Sequence, residues 1–547
     1  MKNSVQNYFI GACCLVGMVP MVHAATDWSE ACQQLRQVKV PGMTITKAQW
    51  QPVGPLPRDP HSALTGASGG REHLPEHCQV QGVLNPYVGV DQQHYGTHFE
   101  VRLPVDWNHS LLFQGGGGMD GFLAPAIGAI PSHRSRAKAA LIRGYTVVSM
   151  DGGHPERTAS FGFDQQARIN YAYASIGEVT IAAKVISKQF YGQSLEHSIF
   201  MGCSNGGREA MVAAQRYPNQ FDGIIAGDPG FHLSAASIGE AWDSQLLMSI
   251  APKNKDGDKI LAQALTVDDL NLLSQAVLKQ CDALDGIKDG LINNYQACHF
   301  SVKTLTCKAD QNKNCLTPAK VQVIDQIFKG AHDSQGNALY SSWPYDAGVN
   351  TRGWRMWKLG SSKTRYSNAW NITLGGDSLP HYFMTPPLKS FSSLDFDFDK
   401  DPQKLSEMAA MNDATSTFLS SFIHHGGKLI IFQGVSDPVF SADDIAHWYQ
   451  QLVKNSGHGN LEQTQQFARL FMIPGMTHCG GGPALDNFDP LTALENWLDH
   501  GKAPQMLPAH GVAQFRGKSQ PLCPFPEYAR YVKGDPDQIT SYRCTAD

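Results

Sequence analysis

A serine flanked by glycines is the feature of this sequence that most directly indicates covalent chemistry. Ser204 stands in the run Gly-Cys-Ser-Asn-Gly at residues 202–206, which has the spacing Gly-x-Ser-x-Gly. An apolar, strand-like segment precedes it at 198–201, and a helix-like run follows it at 208–217. Small neighbours allow a sharp strand-to-helix turn, and the helix N-terminus favours negative charge beside the hydroxyl. We therefore predict that Ser204 is a nucleophile that attacks a carbonyl carbon.

A serine hydroxyl needs a general base to take its proton and an acid to orient that base. Asp437 follows the strand-like segment 428–433, and His478 follows the strand-like segment 469–473. The chain order Ser, Asp, His, with both partners after late strands, is that of α/β-hydrolases. We predict that Ser204, Asp437 and His478 form a catalytic triad. The alternatives are a turn or capping aspartate and a packed loop histidine.

A run of four glycines, Gly115–Gly118, is a candidate part of an oxyanion hole. It follows the strand-like segment 111–113. In α/β-hydrolases one N–H comes from the residue after the nucleophile, here Asn205, and another from a loop of this kind. We predict Gly116 as the second donor. A phosphate-binding loop is the rival interpretation, but no Gly-Lys-Ser/Thr follows, and a flexible turn is the other alternative.

Alternating strands and helices are expected to position these residues. The segments 99–103, 111–114, 145–148 and 223–226 look like strands, and 136–143 and 176–190 look like helices. The alternation stops near residue 228, where an aromatic-rich stretch begins, and resumes at 428. This pattern predicts an α/β-hydrolase fold, a mostly parallel sheet covered by helices, with a large inserted lid. The expected catalytic core is 26–229 and 416–547, and the expected lid is 230–415.

The N-terminus has the features of an export signal. Lys2 precedes an apolar stretch at 9–22, and small residues follow, so we predict a signal peptide at residues 1–25. A membrane anchor is a weaker alternative because the apolar run is short, and a lipoprotein signal at Cys13 is another. A net charge of -5 without a basic run argues against nucleic-acid binding. We expect a secreted or periplasmic monomer with no membrane attachment after cleavage.

The cysteine count agrees with export. Of 12 cysteines, Cys13 and Cys14 lie in the predicted signal, and an even number, ten, remains. An even set in an exported chain indicates disulfides, although sequence alone does not fix the pairing. Cys203 and Cys479 adjoin Ser204 and His478, so a triad would bring these two cysteines together.

These neighbouring cysteines complete a pattern that resembles the tannase and feruloyl esterase family. The family's mark is Cys-Ser … Asp … His-Cys, matched here by Cys203-Ser204, Asp437 and His478-Cys479. The likeness covers nearly all of the chain after the signal. It implies a serine esterase that acts on small-molecule esters of aromatic acids. Further matching segments are 149–154, 221–224, 474–476 and 521–524. The implied disulfides are Cys203–Cys479, Cys32–Cys78, Cys281–Cys298, Cys307–Cys315 and Cys523–Cys544.

The resemblance leaves the acyl group open. Feruloyl-type esters are the first expectation, with galloyl esters and mono(2-hydroxyethyl) terephthalate as alternatives. Segments 281–286 and 396–399 are similar to bacterial members that hydrolyse the terephthalate monoester. Those members hold the free carboxylate with a lid arginine; here Ser392 falls near that place, and Lys389 is a candidate replacement. A catalytically silent binding protein and a peptidase on the same fold remain as alternatives.

An acidic loop in the predicted lid is a candidate metal site. Asp282, Asp285 and Asp289 lie on one short, glycine-bearing segment, and carboxylates suit a hard cation such as Ca²⁺. From the residues alone, a solvated acidic turn is an equal alternative. The resemblance implies a structural calcium bound by these three side chains and by the backbone carbonyls of Ile287 and Leu291.

Overall fold

The computed structural model describes Met1 and residues 27–67, 72–309, 311 and 313–546. The predicted signal peptide therefore lies almost wholly outside the described residues. The strands are β1 Met43–Gln51, β2 Gly54–Pro55, β3 His73–Leu74, β4 His77–Val88, β5 His94–Pro104, β6 Ser110–Gln114, β7 Thr146–Met150, β8 His197–Cys203, β9 Gly223–Gly227, β10 Lys428–Gly434, β11 Ala468–Ile473, β12 Leu507–His510, β13 Ser519–Leu522, β14 Tyr528–Tyr531 and β15 Tyr542–Thr545.

One nine-stranded sheet organises the molecule. Its strand order is β1-β4-β5-β7-β6-β8-β9-β10-β11. The first strands pair antiparallel, β1 with β4, β4 with β5 and β5 with β7, and the remaining pairs are parallel. Since parallel strands end at the same edge, the segments after β6, β8, β10 and β11 meet at one edge of the sheet. These are the segments that carry the predicted site residues.

Helices cover both faces of the sheet. They are α1 Trp28–Gln34, α2 Ser62–Thr65, α3 Gln165–Ile169, α4 Ser175–Tyr191, α5 Asn205–Arg216, α6 Leu233–Ile250, α7 Val267–Cys281, α8 Pro318–Lys329, α9 Arg352–Lys358, α10 Ser406–Asn412, α11 Ser420–His424, α12 Ala442–Asn455, α13 Leu461–Thr464 and α14 Pro490–His500. Their ends follow sequence signals: Thr266 forms a capping box at the start of α7, and Gly192 closes α4 in the left-handed conformation.

The sheet separates two apolar clusters. Alternate residues of the central strands point to opposite faces, so Phe200 packs with α4 residues such as Ile176, while Ile199 packs with α14 residues such as Leu491. Strands β6, β7 and β9 are buried at every residue. Burial on both faces is the expected state of a parallel sheet covered by helices, and the predicted α/β architecture is confirmed.

The stretch between β9 and β10 adds no strand to the nine-stranded sheet over its described residues. It contains α6 to α11 and several short 3-10 and π-helical turns, among them Asn371–Gly376 and Leu379–Phe383. This is where the sequence predicts the lid, and the boundaries 230 and 415 stay a prediction. Within the described chain, no helix is both long and apolar enough to cross a bilayer.

One predicted helix is wrong. Of the segment 136–143, only Ala140–Arg143 winds into a 3-10 turn. The N–H groups of Ala140 and Leu141 donate to the carbonyls of Gly128 and Ile127 rather than to the preceding helical turn. Tertiary hydrogen bonds therefore override the local helix-forming composition.

Candidate active site

The turn that carries Ser204 joins β8 directly to α5. Ser204 has φ 63° and ψ -126°, a backbone conformation that residues other than glycine rarely adopt. Glycine is required on both sides of this turn: a Cβ on Gly202 would lie 2.5 Å from the Gly206 carbonyl oxygen, and one on Gly206 would lie 2.7 Å from the Gly116 oxygen. The glycines in the motif thus permit a strained turn that places the hydroxyl at the sheet edge.

The three predicted triad residues meet in a continuous hydrogen-bond chain. His478 Nε2 lies 2.8 Å from Ser204 Oγ, and His478 Nδ1 lies 2.8 Å from Asp437 Oδ2. The second oxygen of Asp437 accepts the N–H of Val439 at 2.7 Å. Asp437 is oriented by its own loop, and its carboxylate in turn orients the imidazole toward the hydroxyl. This arrangement is that of a nucleophile, a base and an orienting acid.

The surroundings of His478 set its basicity. Burial lowers the pKa of His478, but the charge and hydrogen bond of Asp437, together with the charge of Asp228, raise that pKa above the ordinary value of 6.5. The rings of Trp357 and Phe440 approach the imidazole edge-on, with centroids 5.5 Å and 5.4 Å away. Aromatic walls limit water around the base, which strengthens its interaction with the carboxylates.

Asp228 is a second carboxylate beside the predicted triad, and it is not among the residues predicted from the sequence. It follows β9 and is fully buried. Its two oxygens accept the N–H groups of Gly434 at 2.6 Å and Cys479 at 2.7 Å, so it ties together the loops that carry Asp437 and His478. Burial and the charge of Asp437 raise the pKa of Asp228 to about 8. The signal in the sequence is its position directly after a buried strand, which is also where Asp437 and His478 lie.

Five disulfides are present, in the pairs that the family resemblance implies. Cys203–Cys479 joins the residue before the nucleophile to the residue after the base, across 276 positions of sequence. The nucleophile turn and the histidine loop are therefore covalently linked. The same two sulfur atoms are withdrawn from metal binding, although they lie close to the Asp228 carboxylate.

The prediction that Gly116 donates to an oxyanion is wrong on this geometry. Its N–H already donates to Glu209 Oε2 at 2.9 Å, within the buried interior. No hydrogen bond from the next N–H, that of Gly117, is found within the described part of the chain. Sequence could not separate these adjacent glycines, because the difference lies in a carboxylate 93 positions away.

Asn205, the other predicted donor, is held in place by its side chain. Its Nδ2 donates to Asp120 Oδ1 at 2.6 Å, and its Oδ1 accepts from Arg208 Nε at 2.7 Å and from Tyr171 OH at 3.1 Å. Tyr171 OH also lies 3.0 Å from the carbonyl oxygen of Gly118. These bonds connect the first turn of α5 to the glycine loop. The Asn205 N–H is thereby fixed beside Ser204, at the positive end of the helix.

A cleft of about 950 Å³ opens beside His478. Trp357 and Trp370, from the stretch between β9 and β10, line one side, and His133 and Arg134, from the segment between β6 and β7, also line it. Burial lowers the pKa of His133 to about 4, with the nearby His478 and Arg134 contributing, so His133 is neutral near pH 7. The described residues lining the cleft do not include Ser392 or Lys389. Lys389 Nζ instead lies 5.3 Å from the centre of the Phe163 ring.

The acidic loop forms a compact turn rather than a gathered ligand cage. Asp282 Oδ1 accepts the N–H groups of Asp289 and Gly290, at 3.2 Å and 3.0 Å. Asp285 Oδ2 accepts Asn293 Nδ2 at 2.7 Å, and Asp289 Oδ2 lies 2.8 Å from Lys518 Nζ. The three aspartates are not among the described groups that bring their ligand atoms within 4.8 Å of one another. Three carboxylates against two ammonium groups, Lys518 and Lys288 of the loop itself, leave an oxygen-rich loop with a net negative charge, which suits a hard cation.

Comparisons with known proteins agree with this geometry. The sequence model of the family described as "Tannase and feruloyl esterase" matches residues 78–545. The mono(2-hydroxyethyl) terephthalate hydrolase of Piscinibacter sakaiensis is 36% identical over 528 residues, which cover 88% of this chain and 86% of that protein. A probable feruloyl esterase of Arthroderma benhamiae is 24% identical over 559 residues, which cover 94% of each chain. The crystal structure of feruloyl esterase B from Aspergillus oryzae has a TM-score of 0.78 at 20% identity and covers 95% of this chain and 100% of that chain, and this likeness confirms the predicted α/β-hydrolase fold.

Proposed function

This chain belongs to the tannase and feruloyl esterase family of carboxylic ester hydrolases, and we propose that it cleaves esters of aromatic acids through Ser204, His478 and Asp437. The observation that carries the proposal is the chain of two 2.8 Å contacts from Ser204 Oγ through the imidazole to Asp437. It supplies a base within reach of the Ser204 hydroxyl, which a strained turn places at the sheet edge.

In the proposed reaction, His478 Nε2 takes the proton of Ser204 as Oγ attacks the ester carbonyl carbon. Asp437 stabilises the imidazolium that forms. The tetrahedral oxyanion accepts hydrogen bonds from two backbone N–H groups. His478 then gives its proton to the departing alkoxide oxygen, which leaves an acyl-enzyme on Ser204. Water, deprotonated by His478, attacks the acyl carbon; the bond to Ser204 Oγ then breaks, His478 returns the proton to Oγ, and the acid is released.

We assign the oxyanion donors to Asn205 and Gly117. Asn205 follows the nucleophile, and its side chain is fixed by Asp120, Arg208 and Tyr171. Gly117 replaces the predicted Gly116, because Glu209 engages the Gly116 N–H and the neighbouring N–H has no described partner. Two preorganised donors of this kind stabilise the transition state without reorganising.

Feruloyl-type esters are our first choice of substrate. The support is the likeness to a named feruloyl esterase, since the probable enzyme of Arthroderma benhamiae matches over 94% of this chain and 94% of its own length. The terephthalate monoester is the second choice, supported by the 36% identical relative. It ranks lower because the segment 389–395 has no arginine to hold the free carboxylate.

A turnover panel tests the acyl group. Methyl ferulate, methyl gallate and mono(2-hydroxyethyl) terephthalate are compared by kcat/KM, with the Ser204→Ala variant as the blank. We expect methyl ferulate to be hydrolysed fastest. Faster turnover of the terephthalate ester would overturn the ranking, and the absence of any turnover would overturn the esterase proposal. Amide turnover above ester turnover would favour a peptidase, and a Ser204 that resists a fluorophosphonate probe would favour a silent binding protein.

We expect kcat/KM to fall toward low pH with a midpoint above about 6.5. His478 must be neutral to accept the proton of Ser204, and Asp437 and Asp228 raise the pKa of its imidazole more than burial lowers it. Activity is therefore present above the raised pKa and is lost as the pH falls through it. Initial rates of the preferred ester at low substrate concentration give the profile. A midpoint clearly below that of a free histidine contradicts this interpretation.

We also propose that the acidic loop binds a structural Ca²⁺ through Asp282, Asp285 and Asp289 and the carbonyls of Ile287 and Leu291. The support is the chemistry of the donor set: three carboxylates on one loop exceed the two nearby ammonium groups, Lys518 beside Asp289 and Lys288 of the loop. The loop contains no triad residue. The role of the ion would be to hold the lid loop against the C-terminal segment that carries Lys518.

Calcium is expected to raise thermal stability. At about 100 times the Kd, binding to the folded state alone would add about 2.7 kcal/mol to the free energy of unfolding. The melting temperature is measured with Ca²⁺ and with EGTA. The Asp285→Asn variant should lose the shift, whereas Asp268→Asn, an exposed acid on α7 outside the loop, should keep it. An unchanged melting temperature in the wild type argues against the site.

Export and a monomeric state complete the proposal. Five disulfides favour an oxidising compartment, and the predicted signal would direct the chain there. We propose a two-part catalytic core, residues 26–229 and 416–547, with the lid at 230–415.

A further inference from the structure

The cleft beside His478 gives information about the alcohol half of the substrate. His478 lies in its wall, whereas Ser204, Asn205 and Gly117 are not among the described residues that line it. In the proposed reaction His478 protonates the departing alkoxide, so the alcohol must leave on the His478 side. The cleft is therefore placed to hold the alcohol portion of the ester. Its volume of about 950 Å³ far exceeds what a methyl or hydroxyethyl group needs.

Most charged groups along the cleft are already paired. Arg134 donates to the Gly482 carbonyl at 3.1 Å, and its Nε lies 3.7 Å from Asp486 Oδ2. Asp289 is paired with Lys518 at 2.8 Å. Arg352 is different: within the part of the chain that the structure describes, no ion pair or hydrogen bond of its guanidinium is found. The lid wall of the cleft thus presents one uncompensated, exposed cation.

Arg352 is close to the reacting centre along its helix. It is the first residue of α9, and Trp357 of the same helix packs edge-on against the His478 ring. Five residues of α-helix rise about 7.5 Å, which is the axial separation of Arg352 from Trp357. The next residue, Gly353, faces the histidine loop: a Cβ there would lie 3.4 Å from Thr477 Oγ1. A substituent of the alcohol that is joined to the leaving oxygen by a short linker can therefore reach Arg352.

We propose that the natural substrates are esters whose alcohol portion carries a carboxylate, and that Arg352 binds that carboxylate. The proposal rests on the esterase function and names the class of alcohol, a hydroxy acid. A guanidinium matches a carboxylate with two parallel N–H donors, and it is weakly hydrated for a cation. The side chains of Met356, Trp357, Trp370 and Phe515 give the cleft apolar walls for the hydrocarbon part of the alcohol. Arg352 is then a specificity-determining residue on the leaving-group side, separate from the contacts to the aromatic acid.

A pair of esters tests the proposal. The acyl group that the panel shows to be preferred is joined to the hydroxyl of 4-hydroxybutanoate or of 4-hydroxybutanamide, which differ only by a terminal carboxylate or amide. We expect kcat/KM to be about tenfold higher for the carboxylate ester, mainly through a lower KM, because hydrogen bonds between two charged groups are the stronger kind. The ratio should shrink as ionic strength rises from about 0.01 M to about 1 M, since screening shortens from about 30 Å to about 3 Å.

Variants assign the effect to one side chain. Arg352→Gln should bring the carboxylate-to-amide ratio to about one, and Arg352→Lys, which keeps the charge but not the paired donors, should retain part of it. Arg365→Gln, at an exposed lid arginine outside the cleft lining, is the matched control and should leave the ratio unchanged. Melting temperatures show that each variant is folded.

A wild-type ratio near one, or a ratio that survives Arg352→Gln, overturns the assignment, and a neutral polyol would then be the better candidate for the alcohol. This failure is distinguishable from failure of the esterase proposal, because both esters share one acyl group. If the carboxylate-to-amide ratio is near one but the panel shows turnover, only the assignment of the alcohol is wrong. If none of the esters is turned over, both proposals fall.

Discussion

Replacing Ser204 with alanine is expected to lower kcat/KM by about 10⁴-fold to about 10⁶-fold. The reason is geometric: His478 Nε2 lies 2.8 Å from Ser204 Oγ, and without that oxygen the base has no nucleophile to activate. The residual rate would come from the oxyanion donors and the binding surface, which the substitution leaves in place. Initial rates on the preferred ester of an aromatic acid measure the loss, and labelling by a fluorophosphonate probe should disappear with it.

A second substitution shows whether the residues act as a unit. If Ser204 and His478 serve one proton transfer, the double variant Ser204→Ala/His478→Ala should be no slower than the slower single variant. Ser416→Ala, at an exposed serine, is the control and should keep wild-type rates. If Ser204→Ala retains more than about one hundredth of kcat/KM, or if the two losses multiply, the proposed triad is wrong.

The arrangement of the site at the sheet edge was predictable because each strand and the loop after it can be recognised from a short local stretch of sequence. Each of the segments before Ser204, Asp437 and His478 is a short β-branched or apolar run, and each forms a buried parallel strand. Parallel strands bring their following loops to one edge, so three distant residues could be expected to meet. The cysteines beside Ser204 and His478 added a check, since adjacent side chains must also come together.

The features that the sequence did not reveal depend on contacts between distant residues. Gly116 and Gly117 are adjacent residues of the same type, so the sequence does not distinguish them. In the structure they differ because the Gly116 N–H donates to Glu209. Asp228 follows a strand as Asp437 does, but its role depends on accepting the N–H groups of two other loops. For the same reason the segment 136–143 could not be recognised as non-helical, because its N–H groups pair with the chain near Gly128.

Removing the disulfide next to the triad is expected to cost both stability and activity. In the chain-entropy model, a link that spans 276 positions adds up to about 5–6 kcal/mol to the free energy of unfolding, whereas one that spans 8 positions adds about 2.5 kcal/mol. The variant Cys203→Ala/Cys479→Ala should therefore lower the free energy of unfolding by about twice as much as Cys307→Ala/Cys315→Ala. Denaturant unfolding, followed by tryptophan fluorescence, measures the two values.

The loss of activity should differ more between Cys203–Cys479 and Cys307–Cys315 than the loss of stability does. Cys203–Cys479 fixes the distance between the nucleophile turn and the histidine loop, and a displacement of about 1 Å between reacting groups can cost about 100-fold in rate. We expect kcat to fall by about that factor when Cys203 and Cys479 are replaced, and to change little when Cys307 and Cys315 are replaced. Asp228 still ties Cys479 to the neighbouring loop through a 2.7 Å hydrogen bond, so some activity should survive. If both double variants lose stability but keep kcat, the bond stabilises the fold without positioning the base.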